Sequence, residues 1–156
     1  MGKSKLFSYY VGNMNKLIKA SALSGNTLIK SQLSMASSNL VKMLGDMGAI
    51  VDESYRHVID NNAIRHILKT HGGKSEILRG QIPITQRDMY RIPTIISEYD
   101  TINIDNNRRG QTLVIYTKTF DDSVLFYVEE IRLGRRELAA STLYKRKKED
   151  SPTLIE

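Results

Sequence analysis

Near residue 100 the apolar period of this chain changes, and that change limits the folds open to it. From Thr101 onward, β-branched and aromatic residues alternate or cluster over 101–104, 111–119, 123–133 and 137–143, the period of two expected of strands. Between them lie 105–110, 120–122 and 134–136, short connections rich in Asp, Asn, Gly and Arg that read as hairpin turns. The spacing predicts an antiparallel meander of about four strands. Helical spacing precedes it, so the expected class is α+β, with N-terminal helices packed on an antiparallel sheet of about four strands.

Upstream, apolar residues recur at Leu28, Ile29, Leu33, Met35, Ala36, Leu40, Val41, Met43, Leu44 and Met47, a broadly helical pattern. Asn26 or Thr27 is suited to start this helix and Gly48 to end it, with breaks expected around Gly12 and Gly25. Residues 1–50 therefore read as a helical arm whose apolar stripe covers the protein's own core. The segment 52–60 reads as a short extended stretch or turn, with His57 as an exposed loop histidine. Asp60, followed by Asn61 and Asn62, offers N-cap chemistry for a helix that stops at Gly72. Thr85 and Asp88 have the spacing of a capping box, and Met89, Ile92, Ile95 and Ile96 continue an apolar face. Pro93 is expected to kink that helix or divide it into two short turns before it ends near Tyr99 and Asp100.

At 156 residues the chain fits one domain, or one compact domain with an appended arm. It has no apolar stretch of the roughly 18 residues needed to cross a membrane, and its first residues lack the apolar region of a signal peptide. A soluble, cytoplasmic protein is expected, with no membrane partner. With no cysteine, thiolate metal sites, disulfides and cysteine nucleophiles are excluded. The formal net charge of +6 is concentrated at Arg132, Arg135, Arg136, Lys145, Arg146, Lys147 and Lys148, set against the single acid Glu137. Such a cluster either attracts phosphate polyanions or keeps a solvated segment soluble.

Two of the three histidines, His66 and His71, fall with Lys69 within six positions just before Gly72. Histidine titrates near neutrality, with an unperturbed pKa of ~6.5, so the group offers acid-base chemistry on a rigid helix. Lysine and histidine in a last turn also simply complement the helix dipole, and both readings stand at this point. Five positions separate the two histidines, not the three or four that place two metal ligands on one helical face, so no metal site is expected. Alternation in the last strand puts Thr142 and Tyr144 on one face and Ser141 and Lys145 on the other. Hydroxyls and cations near histidines would suit a phosphate.

The succession His57-Val-Ile-Asp, Asn62-Ala-Ile-Arg-His66-Ile-Leu-Lys-Thr-His71-Gly and Ile82-Pro-Ile-Thr-Gln-Arg-Asp88, with a meander closing on Ser141-Thr-Leu-Tyr144-Lys, resembles the phage branch of the barnase, EndoU, colicin and RelE-like ribonucleases. The resemblance runs from about Tyr55 to Lys148. It implies a helical arm over 1–50, a nuclease domain over 51–148 and a flexible tail over 149–156. It further implies metal-independent cleavage of RNA, tRNA included, by histidine acid-base catalysis without a cofactor, leaving a 2′,3′-cyclic phosphate.

On this sequence His66 or His71 would serve as base or acid, and Lys69 would offer charge to the phosphate. Thr142 and Tyr144 would position the phosphate or carry a proton, while Arg132, Lys145 and the basic run bind backbone. Members of that branch sit in phage head-morphogenesis proteins or polymorphic toxins, so the implied partners are RNA and a cognate immunity protein or antitoxin. The implied setting is a bacterial or phage-encoded protein, delivery into a target cell included. The competing expectations are a nucleic-acid-binding or phage structural protein that keeps the fold without catalysis, and a toxin cleaving a dinucleotide.

Overall fold

The computed structural model describes residues 17–18, 30–121 and 123–148. The expected breaks at Gly12 and Gly25, the proposed helix start at Asn26 or Thr27 and the tail 149–156 lie outside the described residues. In chain order the elements are β1 (Lys30–Met35), α1 (Ser38–Asp46), β2 (Arg56–Asp60), α2 (Asn61–His71), α3 (Ser75–Leu78), α4 (Gln86–Met89) and α5 (Ile92–Glu98). They are followed by β3 (Thr101–Asn106), β4 (Thr112–Phe120), β5 (Ser123–Arg132), a single 3₁₀ turn (Leu133–Arg135) and β6 (Glu137–Lys147).

The strands form one six-stranded sheet in the order β1-β2-β6-β5-β4-β3. The meander β3 to β6 matches the sequence expectation; the count of four does not. Two further strands extend the sheet beyond β6, and β2 pairs with β6 in parallel, so the sheet is mixed. The helices lie largely between β2 and β3 in sequence, not N-terminal to the sheet. The stretch expected to be one helix over 26–47 divides into β1 and α1. Ser31 and Leu33 are the inward positions of β1, and a buried serine at an alternation position hides the period of two. Helix α1 starts where Ser37 Oγ accepts the amide of Leu40 at 3.1 Å, and it buries Leu40 and Leu44.

β2 was expected as a turn or short extended segment with an exposed His57. Instead His57 is 1% exposed, because β2 lies between β1 and β6. Its Nδ1 is 2.7 Å from Glu129 Oε2 on β5, and the Tyr116 hydroxyl on β4 donates to Glu129 Oε1 at 2.6 Å. One buried carboxylate thus links three strands, with both oxygens satisfied, as a buried charge requires. Burial first, and then the negative charge of Glu129, pushes the Tyr116 and Tyr127 hydroxyls well above their ordinary 10.0.

The sheet's two faces differ. Leu33, Ile59, Leu138, Leu143, Leu125, Tyr127, Tyr116 and Val114 point into the main core with Ile64 and Ile67 of α2, Met89 of α4 and Ile92 and Ile95 of α5. On the opposite face Leu113, Ile115, Phe126, Thr142 and Tyr144 are only half-buried. The short side chains of Val58, Ala139 and Val128 lie low on this face, outside the main cluster. Pro93 falls in the first turn of α5, where its missing amide costs nothing, so the two short helices α4 and α5 replace one kinked helix. The capping box of Thr85 and Asp88 opens α4. Among the described residues no helix is long and apolar enough to cross a membrane.

Replacing His57 by alanine strands half of a buried pair, and a loss of roughly 3–5 kcal/mol in urea unfolding is expected. In an alkaline spectrophotometric titration, Tyr116 and Tyr127 should stay protonated while exposed tyrosines ionise, and should release their protons only as the protein unfolds. The unfolded chain loses those protons near 10.0 and the folded one holds them. Stability should therefore be level below about pH 10 and fall above it; a titration of all tyrosines in one early step would contradict this.

Candidate active site

Helix α2 begins at Asp60, whose Oδ1 accepts the amide of Ala63 at 2.8 Å. It ends at Gly72, whose amide bonds the Leu68 carbonyl at 3.0 Å. A Cβ at Gly72 would collide with that same carbonyl, so the glycine is a requirement of the helix end. The buried stripe of the helix is Ala63, Ile64 and Ile67, and seven positions, about two turns, carry it from Ile64 to His71. His71 therefore lies on the inner side, 14% exposed at its side chain.

His66 and Lys69 share the outer face and are exposed. Five residues at 3.6 per turn set His66 roughly 140° around the helix from His71. The nearest side-chain partner of His66 is Thr70 Oγ1 at 3.5 Å, within its own helix. The sequence group is thus divided by the helix itself.

What meets His71 comes from two directions. Across the sheet edge, the ring of Tyr144 lies 5.7 Å from the imidazole, centroid to centroid, tilted by 37°. From the loop that follows, Glu76, fully buried, places Oε1 2.5 Å from His71 Nδ1. Its Oε2 accepts Arg79 at 2.9 Å. The imidazole is therefore fixed at Nδ1, and among the described residues Nε2 has no partner. The chain holds this loop against β6 by main-chain bonds: Ile84 donates to the His71 carbonyl at 2.7 Å, and Ile82 to the Lys145 carbonyl at 2.9 Å.

On β6, Thr142 and Tyr144 share the half-open face, as alternation required. A bulge sits just before them. Val128 pairs with Thr142 but Glu129 pairs with Ala140, so Ser141 is the extra residue, and the bulge sets which side chains of the second half of β6 reach the open face. Thr142 Oγ1 is buried there without a hydrogen-bond partner among the described residues. Phe126 lies directly opposite Tyr144, stacked at 4.8 Å and 3°. The Arg146 guanidinium sits over both rings, 5.1 Å from Phe126 and 5.6 Å from Tyr144.

The basic residues separate into groups. Arg146, Lys147 and Lys148 are exposed at the end of β6, and Arg146 lies against Tyr144. Lys145 points to the covered face, where its Nζ donates to Asp88 Oδ2 at 2.7 Å, with only 12% and 3% of the two side chains exposed. It is an internal tie to the capping box of α4, unavailable to a ligand on the open face. Arg132, Arg135 and Arg136 sit at the far end of the β5–β6 hairpin, some seven residues and roughly 20 Å from Tyr144 along β6. There Arg132 is 3.8 Å from Glu130 and 3.9 Å from Glu137. A groove of about 940 Å³ at that end is lined by Ile50, Thr112, Arg132, Leu133 and Arg135 among others. It is separate from His71.

The structure thus brings His71, Thr142, Tyr144 and Arg146 to one place, and sets His66, Lys69, Lys145 and the Arg132 group elsewhere. Glu76, Arg79 and Phe126 join the site without any sequence expectation. Glu76 and Arg79 lie in a polar loop whose burial only the fold reveals, and Phe126 needs the hairpin register to meet Tyr144. No curated protein and no solved structure matches the chain. The family model described as phage-Barnase-EndoU-ColicinE5/D-RelE like nuclease3 matches residues 36–151, from the residue after β1 to just past β6. The match covers most of the chain and both sides of this site, and the protein belongs to that phage-associated nuclease family.

Proposed function

We propose that this domain is a metal-independent endoribonuclease, and that the chemistry is carried by the pairing of His71 with Tyr144 on the open face of the sheet. The supporting observation is the 5.7 Å separation of their ring centroids, with the imidazole held at Nδ1 and Nε2 without a partner among the described residues. An imidazole and a phenol with rings 5.7 Å apart give one group that accepts a proton and one that donates one, which transesterification within RNA requires.

In this reading His71 removes the proton of a ribose 2′-hydroxyl. The 2′-oxygen bonds to the adjacent phosphorus as the bond to the 5′-oxygen breaks, and Tyr144 protonates that leaving oxygen. The products are a 2′,3′-cyclic phosphate and a free 5′-hydroxyl. The Thr142 hydroxyl positions the phosphate, and Arg146 stabilises the charge on the phosphorane. His66 and Lys69, on the outer face of α2, would attract the polyanion from outside the chemical step, and Arg132, Arg135 and Arg136 would hold backbone far from it. A toxin role in the bacterial cytoplasm, and an immunity protein as partner, belong to the same proposal.

Labelled tRNA and total RNA, incubated in a chelator, should be cut to 2′,3′-cyclic ends by the native protein. His71→Ala and Tyr144→Phe should each lose roughly 100–10,000-fold in rate, while His66→Ala should stay within a few-fold. Intact RNA with the native protein, or equal losses for His66 and His71, would refute the assignment. Arg146→Met should lower the slope of log affinity against log salt by about 0.7 for a single strand. Lys145→Met should leave that slope unchanged and instead lower folding stability by about 1.5–3 kcal/mol, the worth of a hydrogen bond to a charged group.

A further inference from the structure

Glu76 is a charged residue with no exposure, and neither hydrophobic packing nor helix formation explains it. Helix α3 has only four residues and gains little from a glutamate whose side chain turns inward. Removing a carboxylate from water is costly unless its oxygens are bonded, and both oxygens of Glu76 are: one to His71 Nδ1, the other to Arg79. The main chain is tied at the same point. The Glu76 amide donates to the Gly73 carbonyl at 3.1 Å and its carbonyl accepts Gln81 at 2.8 Å, so the loop from Gly72 to Gln81 closes around this residue. Which imidazole nitrogen carries the proton is set by what the other nitrogen bonds.

We propose that Glu76 is a positioning residue for His71: its carboxylate holds the proton on Nδ1 and so leaves Nε2 as the lone-pair nitrogen of a ring 5.7 Å from that of Tyr144. The role rests on the reading of His71 as the base given above. Arg79, half-exposed at its side chain, fixes the carboxylate from the other side. It keeps Glu76 from rotating away and sets a cation at the edge of the site.

The three histidines make the proposal measurable within one molecule. His57 is likewise bonded through Nδ1 to a buried glutamate, Glu129, whereas His66 is exposed and, among the described residues, has only Thr70 near its Nδ1. In ¹⁵N-labelled native protein, imidazole ¹H–¹⁵N correlation spectra taken about two pH units above the ordinary histidine value should show His57 and His71 protonated on Nδ1. His66 should show the mixture of a free imidazole.

Glu76→Gln keeps the volume and leaves one carbonyl oxygen, which Arg79 claims. The amide then donates to Nδ1, and the proton of His71 moves to Nε2. Glu76→Leu removes both partners and should bring His71 to the pattern of His66. In both variants His57 should be unchanged, which also reports that the fold is kept. RNA cleavage should fall about 10–100-fold in kcat, the usual consequence of losing an outer partner of a working imidazole, with KM little altered.

A native His71 already resembling His66, or a His71 tautomer unmoved in both variants, overturns the proposal. So does a moved tautomer with full kcat. Native protein that cleaves no RNA overturns the ribonuclease reading instead, while the spectra still decide whether Glu76 orients the ring.

Discussion

Strand β6 is the element on which the rest depends, because it is paired on both edges with different partners along its length. β5 follows it from Glu137 to Lys147, β2 joins in parallel beside its first residues, and beyond the end of β2 a single bridge from Ile82 takes over. Where β2 stops, α2 begins, and it runs past the second half of β6. This succession, a strand and then a helix along the same edge, delivers His71 to Tyr144. A β2 longer by a turn's worth of residues would carry the helix end past the tyrosine.

Charge burial does the remaining fixing, in three places. Glu129 ties β2, β4 and β5, Asp88 joins the start of α4 to Lys145, and Glu76 joins the loop after α2 to its last histidine. Each carboxylate is almost or fully buried, and each has a partner distant in sequence or across a loop. Exposed ion pairs at this number would contribute little; pairs withdrawn from water specify one arrangement, because any slip leaves a charge unmatched.

The β3 to β6 meander was legible in the sequence because its alternation is written in Val, Ile, Leu, Tyr and Phe, and its turns in Asn, Asp and Gly. The helix 61–71, its Asp60 cap, the Thr85–Asp88 box and the break at Pro93 were legible because those signals are local. β1 was not, and for β2 only its extended conformation was, not the burial of His57: Ser31 and His57 take inward positions of these strands, and polar residues at alternate positions erase the period. The site was half legible. His71, Thr142 and Tyr144 stood out by residue type, but a cluster in sequence wraps around a helix, so His66 and Lys69 part company from His71. Lys145 looked like its basic neighbours; strand alternation turns it away from Arg146, and its pair with Asp88 takes it out of solvent.

The parallel pairing of β2 with β6 joins residues about eighty positions apart, from His57 to Leu138, and the candidate site spans a similar interval from His71 to Tyr144. Loops of that length close late, since their entropy must be lost before any contact rewards it. During synthesis, the helix carrying His71 and its glutamate emerges long before the strand carrying Thr142, Tyr144 and Arg146. The topology thus acts as a timer, with the two halves of the site meeting only after nearly the whole domain has been made.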